Sequence, residues 1–421
     1  MTMLPAMSTP RWTAAALLLT FLAGPGELKL KESDHKALGK LVRTYFTAKL
    51  EEKGIFEAGQ KVIDQIESVE KRLKGEKLLA SVADWEQVFR LATEEGLKET
   101  LKKRGEVSPQ KINELSFAYC VPKKPAKGAL PLVLIACNEG ETPAAHLDAH
   151  WNDPALREGA ILMAVDLGKD PQSWGIFATT PGSSFPGSTT QLMTALALIQ
   201  DQFPVDYNRR FIAGSGKGYA ATEITAACFP YVFAGVIGIG DVSAADLANL
   251  ENFRTLPTLF LKGGEGAKAI EAKLAELGYS NATLQPEGGV AQAWEWLSKN
   301  SRNAYPAHIT YVPKIDRAGS APWLSLGGFQ VAEQPRIDAR SDKATNTITI
   351  DAQKVATLVV YLNDELVDLD KPVKFVINGA AHERKIERNP MDMIQNQFNG
   401  GDWGRIFTAS VTPDVPPQPA K

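Results

Sequence analysis

The pattern of hydrophobic and polar positions differs between three segments of the chain. Between residues 27 and 106 Lys and Glu are dense, and apolar residues recur at helical spacing, as at Val62, Ile66, Val69 and Leu73. Side chains at that spacing share one face of a helix. The pattern predicts a helical segment, residues 27–106, with a solvated charged face and an apolar face that lies on a larger body.

From about residue 113 the apolar residues fall in short continuous runs. These runs include "LSFAYCV", "LPLVLIAC", "AILMAVD", "RRFIAG", "AGVIGIG" and "PTLFLKG", and helical stretches separate several of them, notably 188–203 and 219–227. Strands that are buried on both faces and alternate with helices indicate a mainly parallel sheet. We therefore predict an α/β domain over residues 107–303.

Beyond residue 303 the pattern changes to alternating apolar and polar positions with turn residues between them. The runs "HITYV", "NTITI", "TLVVYL" and "VKFVIN" are typical of strands. We predict a β-rich C-terminal domain over residues 304–413. The Pro-rich end, residues 414–421, is predicted to be a disordered tail.

The first 26 residues have the features of a secretory signal peptide. A single positive residue, Arg11, precedes an apolar stretch over residues 12–23, and small residues follow it. That stretch is too short to span a bilayer. We expect cleavage between residues 23 and 26 and export to the periplasm or medium, with no membrane span in the mature protein. An uncleaved membrane anchor is the alternative.

Composition excludes some function classes. The 421 residues carry a formal net charge of −3, so the chain lacks the excess of positive charge that is typical of nucleic-acid-binding proteins. Three cysteines are too few for a disulfide framework. Cys120 and Cys137 would pair if their strands were neighbours, and buried free thiols are the other possibility. We expect no cofactor.

The stretch "FIAGSGKGYAATE", residues 211–223, permits two kinds of chemistry. A phosphate-binding loop requires G-x-x-x-x-G-K-[ST], but Phe211 stands at the first glycine position and Gly218 at the hydroxyl position. The nucleophile elbow G-x-S-x-G fits the spacing, with Gly214 and Gly218 at the flanks. The nucleophile's own position is then Gly216, which has no side chain.

At this point the chain resembles a known family. The order of "LPLVLIAC", "DYNRRFIAGSGKGYAATEITAACFPYVFAGVIGIG" and "LPTLFLKGGEG" is similar to the α/β-hydrolase fold, particularly to secreted esterases, dienelactone hydrolases and polyhydroxybutyrate depolymerases. The arrangement of an N-terminal helical segment, an α/β domain and a β-rich C-terminal domain also resembles that of large exported hydrolase-like proteins of environmental bacteria. The resemblance covers roughly residues 113–300 and implies an acyl-transfer site on the turn.

The resemblance also assigns positions to the catalytic groups, and this chain departs from each of them. Gly216 stands for the nucleophile, Gly266 for the acid and Val290 for the histidine, and no histidine occurs between residues 150 and 308. In that family the loop after the third strand supplies N–H donors to the oxyanion and usually begins His-Gly. Here this loop reads Cys137-Asn138-Glu139-Gly140. Four departures together predict a degenerate elbow, Gly214-Ser215-Gly216-Lys217-Gly218, in a non-catalytic hydrolase-fold protein.

Other residues of the expected cleft offer alternatives. Ser215 is a candidate for a displaced nucleophile, although a side chain one residue early should point away from the pocket. Lys217 would act as a base or nucleophile only if it were desolvated. With Cys137, Asn138 and Glu139, these two residues form the predicted ligand cleft. The ligand class, whether small molecule, polymer or protein, stays open.

The segment "AAHLDAHW" offers a metal candidate. His146 and His150 have the i, i+4 spacing that allows two histidines on one helix to bind zinc, and Asp148 lies between them as a further candidate. The sequence shows no third ligand nearby, so we expect packing histidines and no metal. A thiol pair of Cys137 with one of these histidines is a further alternative, but a cysteine that ends an apolar strand is normally buried.

Overall fold

The structure, a computed structural model, describes residues 29–168, 187–316 and 319–418. The predicted signal peptide, residues 1–26, lies outside the described residues, as does the end of the predicted tail, residues 419–421. None of the helices in the described ranges is both long enough and apolar enough to cross a membrane.

An eight-stranded sheet forms the centre of the molecule, in the order β1-β2-β4-β3-β5-β6-β7-β8. Its strands β1 and β2 are antiparallel to their neighbours, and β4, β3, β5, β6, β7 and β8 are parallel. In chain order the strands are β1 Ser108–Ile112, β2 Leu115–Cys120, β3 Leu130–Ala136, β4 Ile161–Val165, β5 Val205–Gly216, β6 Gly235–Val242, β7 Thr258–Leu261 and β8 Ala282–Gln285. Every residue of β3, β4 and β7 is buried, as expected where helices cover both faces.

Helices follow most of these strands and cover the sheet. They are α4 Pro143–His150, α5 Pro154–Gly159, α6 Gly187–Gln200, α7 Lys217–Cys228, α8 Glu265–Glu276 and α9 Val290–Lys299. Helix α7 follows β5 directly and packs on β3, β5 and β6. The strand order and this central strand-turn-helix confirm the predicted α/β-hydrolase fold.

Three helices form the N-terminal segment: α1 Glu32–Leu50, α2 Ile55–Arg72 and α3 Val82–Glu94. Their buried side chains belong to the same hydrophobic cluster as one face of the sheet. A buried carboxylate, Asp84, accepts hydrogen bonds from the N–H groups of Lys29 and Leu30 and contacts the ring of His35. The predicted helical character of this segment is confirmed.

The C-terminal region is β-rich, as predicted. A five-stranded sheet has the order β16-β15-β13-β12-β9 and a four-stranded sheet the order β10-β11-β14-β17. The elements are β9 His308–Tyr311, β10 Ser320–Ala321, β11 Leu324–Gly327, β12 Arg336–Asp342, β13 Thr347–Gln353, β14 Thr357–Leu362, β15 Val373–Ile377, β16 Ala380–Arg384, α10 Pro390–Gly400 and β17 Ala409–Val411. Both sheets bury side chains in one separate cluster.

Buried contacts continue across the predicted domain boundaries. Met393, Ile394, Trp403 and Ile406 lie in the cluster that also contains the N-terminal helices and the central sheet. The carbonyl of Pro416, in the predicted tail, accepts a hydrogen bond from Asn378. Independent folding of residues 27–106, 107–303 and 304–413 therefore stays a prediction.

A buried ion triad lies at the junction of the central sheet and the C-terminal region. Both oxygens of Asp402 accept hydrogen bonds from Arg302, at 2.6 and 2.9 Å, and Arg210 donates to one of them at 2.9 Å. The side chains are 10%, 3% and 5% exposed, respectively. The two guanidinium groups hold the pKa of the Asp402 carboxyl far below its usual range, despite burial.

Candidate functional site

The turn between β5 and α7 has the backbone of a nucleophile elbow. Gly216 ends the strand at φ 52° and ψ −127°, a conformation that L side chains rarely adopt. A Cβ on Gly214 would lie 2.6 Å from Thr222 Oγ1, and one on Gly218 would lie 2.5 Å from the carbonyl oxygen of Ala136. Glycines at the flanks are therefore needed for close strand-helix packing, as the sequence predicts.

The side chain of Asn138 occupies the space over Gly216. A Cβ added to Gly216 would lie 2.7 Å from Asn138 Oδ1 and 3.2 Å from its Nδ2. The same Oδ1 accepts a hydrogen bond of 3.0 Å from the N–H of Glu139. A nucleophile side chain at residue 216 would collide with this amide in its present position. The N–H of Glu139, in the loop that supplies oxyanion donors in esterases, already donates to Asn138.

A cavity of about 500 Å³ opens beside the elbow. Its walls come from the β3-α4 loop, α4, the elbow and the ends of β6 and β7, through Asn138, Glu141, His146, His150, Trp151, Gly214, Ser215, Gly216, Ile239, Gly240, Asp241 and Lys262. The buried indole Nε1 of Trp151 has no hydrogen-bond partner in the described ranges. The size suits a small-molecule site.

The structure brings part of the predicted cleft together. Asn138 and Ser215 line the cavity, whereas Cys137, Glu139 and Lys217 do not. Ser215 itself lies at the cavity wall, and the prediction that its side chain points away from the pocket stays a prediction. Lys217 is 65% exposed and forms an ion pair with Glu139, so it is solvated rather than desolvated.

The thiol and hydroxyl candidates lack the environment of nucleophiles. Cys137 is fully buried, and burial raises the pKa of its thiol far above the ordinary value, so a thiolate is disfavoured. Cys120 and Cys228 are also buried, and all three cysteines are free. Among the described residues no histidine hydrogen-bonds to the Ser215 hydroxyl, although serine nucleophiles require such a base.

Gly266, the position that the resemblance assigns to the acid, has no room for a side chain. Gly266 lies in the first turn of α8, and a Cβ there would lie 1.7 Å from the carbonyl oxygen of Val242, so no side chain fits. The neighbouring Glu265 is 90% exposed and pairs with Lys268 at 2.8 Å. Neither residue lines the cavity.

The histidine position carries an apolar residue. Val290 begins α9 and packs against buried side chains on the other face of the central sheet, and it does not line the cavity. In the described part of the chain only His146 and His150 among the histidines line the cavity. Both come from α4, which follows β3.

The histidines of α4 meet a carboxylate that the sequence reading missed. Glu141 contacts His146 Nδ1 through Oε2 and lies 3.5 Å from His150 Nε2 through Oε1. Although burial opposes this, hydrogen bonds and charge from His146 and His150 lower the pKa of Glu141. Asp148, which the sequence analysis names as a candidate beside the two histidines, instead pairs with Arg157 at 3.0 Å and is 63% exposed. The sequence feature that could have predicted this contact is the position of Glu141, one residue before Thr142, the N-cap of the short helix α4.

Glu223 is a buried carboxylate with a structural role. It lies on α7 and accepts hydrogen bonds from the N–H groups of Ala245 and Asp246 and from Asn249 Nδ2. Burial raises the pKa of Glu223 to about 7. Its role is to hold the loop that follows β6.

Comparison with known proteins gives only partial structural likenesses. No protein-family model and no curated protein matches the chain. A thermostable esterase matches 47% of this chain, which spans 63% of that esterase, at 20% identity and a TM-score of 0.36. An S-formylglutathione hydrolase from Staphylococcus aureus matches 45% of this chain and 94% of its own, at 11% identity and a TM-score of 0.38.

A third partial match has the same character. Est1E from Butyrivibrio proteoclasticus matches 46% of this chain and 97% of its own, at 14% identity and a TM-score of 0.33. Each likeness concerns less than half of this chain. The strand order and the elbow geometry identify the fold, and on those grounds the chain has an α/β-hydrolase fold.

Proposed function

We propose that the protein is a non-catalytic α/β-hydrolase-fold protein that binds a small polar ligand in the cavity beside the elbow. The observation that carries this proposal is the pairing of Gly216 with Asn138. The elbow retains its backbone geometry, but the nucleophile position has no side chain, and an amide fills the space where one would project. Acyl transfer needs that nucleophile before any other group matters.

The composition of the cavity wall supports a binding role. It offers the imidazoles of His146 and His150, the carboxylate of Asp241 and the ammonium group of Lys262. Trp151 also lines this wall, and its indole N–H, which has no partner among the described residues, is buried.

An active serine hydrolase with relocated groups is the second candidate. It is favoured by one observation: Ser215 lines the same cavity as the Glu141 and His146 pair. A working arrangement would require one of the α4 histidines to approach Ser215 Oγ to hydrogen-bonding distance.

The two candidates differ in the rate of ester hydrolysis. We expect the purified protein to hydrolyse p-nitrophenyl acetate and butyrate no faster than an inert protein at equal concentration, and Ser215→Ala to give the same rate. The reason is that, within the ranges the structure describes, no serine or cysteine is hydrogen-bonded to a histidine that could act as its base. Clear turnover that disappears in Ser215→Ala would reject the non-catalytic proposal and establish the second candidate.

Export is a further part of the proposal. It rests on the signal-like residues 1–26 alone. N-terminal sequencing of the protein recovered from a secreting host should place the mature end between residues 23 and 27, whereas an intact Met1 would contradict export by cleavage.

A further inference from the structure

Three potential ligands for a metal ion meet at the wall of the cavity to which the proposed function assigns a ligand. The side-chain donor atoms of Glu141, His146 and His150 all lie within 4.8 Å of one another. The imidazole rings of the two histidines have centroids 4.9 Å apart. We propose that these three side chains bind one divalent transition-metal ion, with Zn²⁺ as the best match.

The helix places the two histidines. Residues four apart lie on the same face, one turn above another, so α4 presents His146 and His150 together. Thr142 caps this helix by accepting a hydrogen bond from Ala145, and Glu141 stands just before that cap. The cap fixes where the chain enters the helix, and so brings the carboxylate back towards both imidazoles.

The donor set selects the kind of metal. Two imidazole nitrogens and one carboxylate are the ligands of several catalytic zinc sites, whose fourth position is left to water or a ligand. Imidazole suits Zn²⁺ and its transition-metal neighbours, whereas Mg²⁺ and Ca²⁺ prefer oxygen ligands throughout. Donors in a tetrahedral zinc site lie roughly 3–4 Å apart, so small side-chain rotations bring this set within range.

Exposure shows which side of the site is open. The side chain of His146 is 2% exposed, whereas those of Glu141 and His150 are 34% and 45% exposed. All three line the 500 Å³ cavity. A bound ion would therefore be anchored on the protein side by His146 and would face the cavity with its remaining position.

The site goes beyond the proposed function and does not depend on it. A hydrogen-bonded Glu-His-His network without a metal is the competing explanation of the same contacts. The two differ in one property, since only a metal site takes up one ion per chain through all three side chains. Asp148 provides a matched control, because it lies on the same helix but pairs with Arg157.

The test is zinc binding by the untagged full chain after treatment with a chelator. Calorimetric titration with Zn²⁺ should give one ion per chain. His150→Ala and Glu141→Gln should each weaken binding by about 100-fold or more, since loss even of an outer partner of a ligand costs about 10- to 100-fold. Asp148→Ala should bind as the unmodified protein does.

The substituted side chains are partly exposed, so these variants are expected to fold, and their circular dichroism spectra should match that of the parent. Absent binding, or binding that survives both ligand substitutions, would overturn the proposal, as would an equal loss in Asp148→Ala. Ester turnover that appears only with Zn²⁺ would instead reject the non-catalytic function and leave the metal site standing.

Discussion

Asp402→Asn should lower the free energy of unfolding by about 3–5 kcal/mol at pH 7. The substitution keeps the shape of the side chain but removes the negative charge between two buried guanidinium groups. Arg210 and Arg302 would then remain buried without their counter-charge. Breaking a buried pair from one side costs this much because the surviving charges are neither paired nor hydrated.

Arg302 would retain some partners in the variant. It also donates to the carbonyl of Tyr231 at 2.7 Å and to Asn208 Oδ1 at 2.9 Å. Arg210 donates to the carbonyl of Tyr207 at 3.1 Å. These bonds satisfy N–H groups but supply no negative charge, so the cost of the substitution is mainly electrostatic.

The effect should depend on pH in a defined direction. The folded-state pKa of Asp402 is depressed below its unfolded value of about 3.9, so the carboxylate's contribution is fully present above that pH. It is lost as pH falls towards the folded-state pKa. The stability gap between the parent and Asp402→Asn should therefore narrow by about 1.4 kcal/mol per pH unit below about pH 4.

Urea unfolding measures this gap, and Asp201→Asn is the matched control. Asp201 also accepts a hydrogen bond from a cation, Lys98, at 2.6 Å, but both side chains are more than half exposed. Exposed pairs contribute at most about 1 kcal/mol, so the control should be nearly neutral. Equal losses in the two variants, or a gap that widens at low pH, would contradict the role assigned to Asp402.

Gly266→Asp should destabilise the protein by about 3 kcal/mol or more and should restore no activity. The resemblance to esterases recommends this substitution as a repair of the missing acid. The structure opposes it, because the new Cβ would lie 1.7 Å from the carbonyl oxygen of Val242, and a backbone atom cannot rotate away as a side chain can. Either α8 or the end of β6 would have to move.

Gly264→Ala is the control for that substitution. Gly264 precedes the same helix, has an ordinary φ of −86°, and its new Cβ would meet only Asp241 Oδ1 at 3.3 Å. We expect its free energy of unfolding, measured in urea, to change by no more than about 1 kcal/mol. If Gly266→Asp proves as stable as Gly264→Ala, the packing of α8 against β6 described here is wrong.

The sequence predicts the fold because the fold depends on local patterns. Continuous apolar runs mark the parallel strands, and the predicted helix over 188–203 corresponds to α6, Gly187–Gln200. The glycine spacing at 214, 216 and 218 encodes the elbow. Gly214 packs against Thr222 of the following helix and Gly216 has a positive φ, whereas Gly218 packs against the carbonyl of Ala136 on β3.

The site is less predictable because its contacts join distant segments. Asn138 reaches Gly216 from another loop, and Glu141 joins the α4 histidines only after the chain turns into the helix. The clash at Gly266 arises from Val242, and spacing along the chain carries no information about that distance. Such contacts depend on how strands and loops stack, which a single sequence does not record.

The absence of a nucleophile at the elbow is tested most directly by a fluorophosphonate probe, which forms a covalent bond with activated serines. The unmodified protein should show no added mass after incubation, because Gly216 offers no hydroxyl and Ser215 has no histidine partner among the described residues. An active serine esterase in the same tube confirms that the probe works. One label per chain, located at Ser215 by peptide mass spectrometry and absent from Ser215→Ala, would contradict the account.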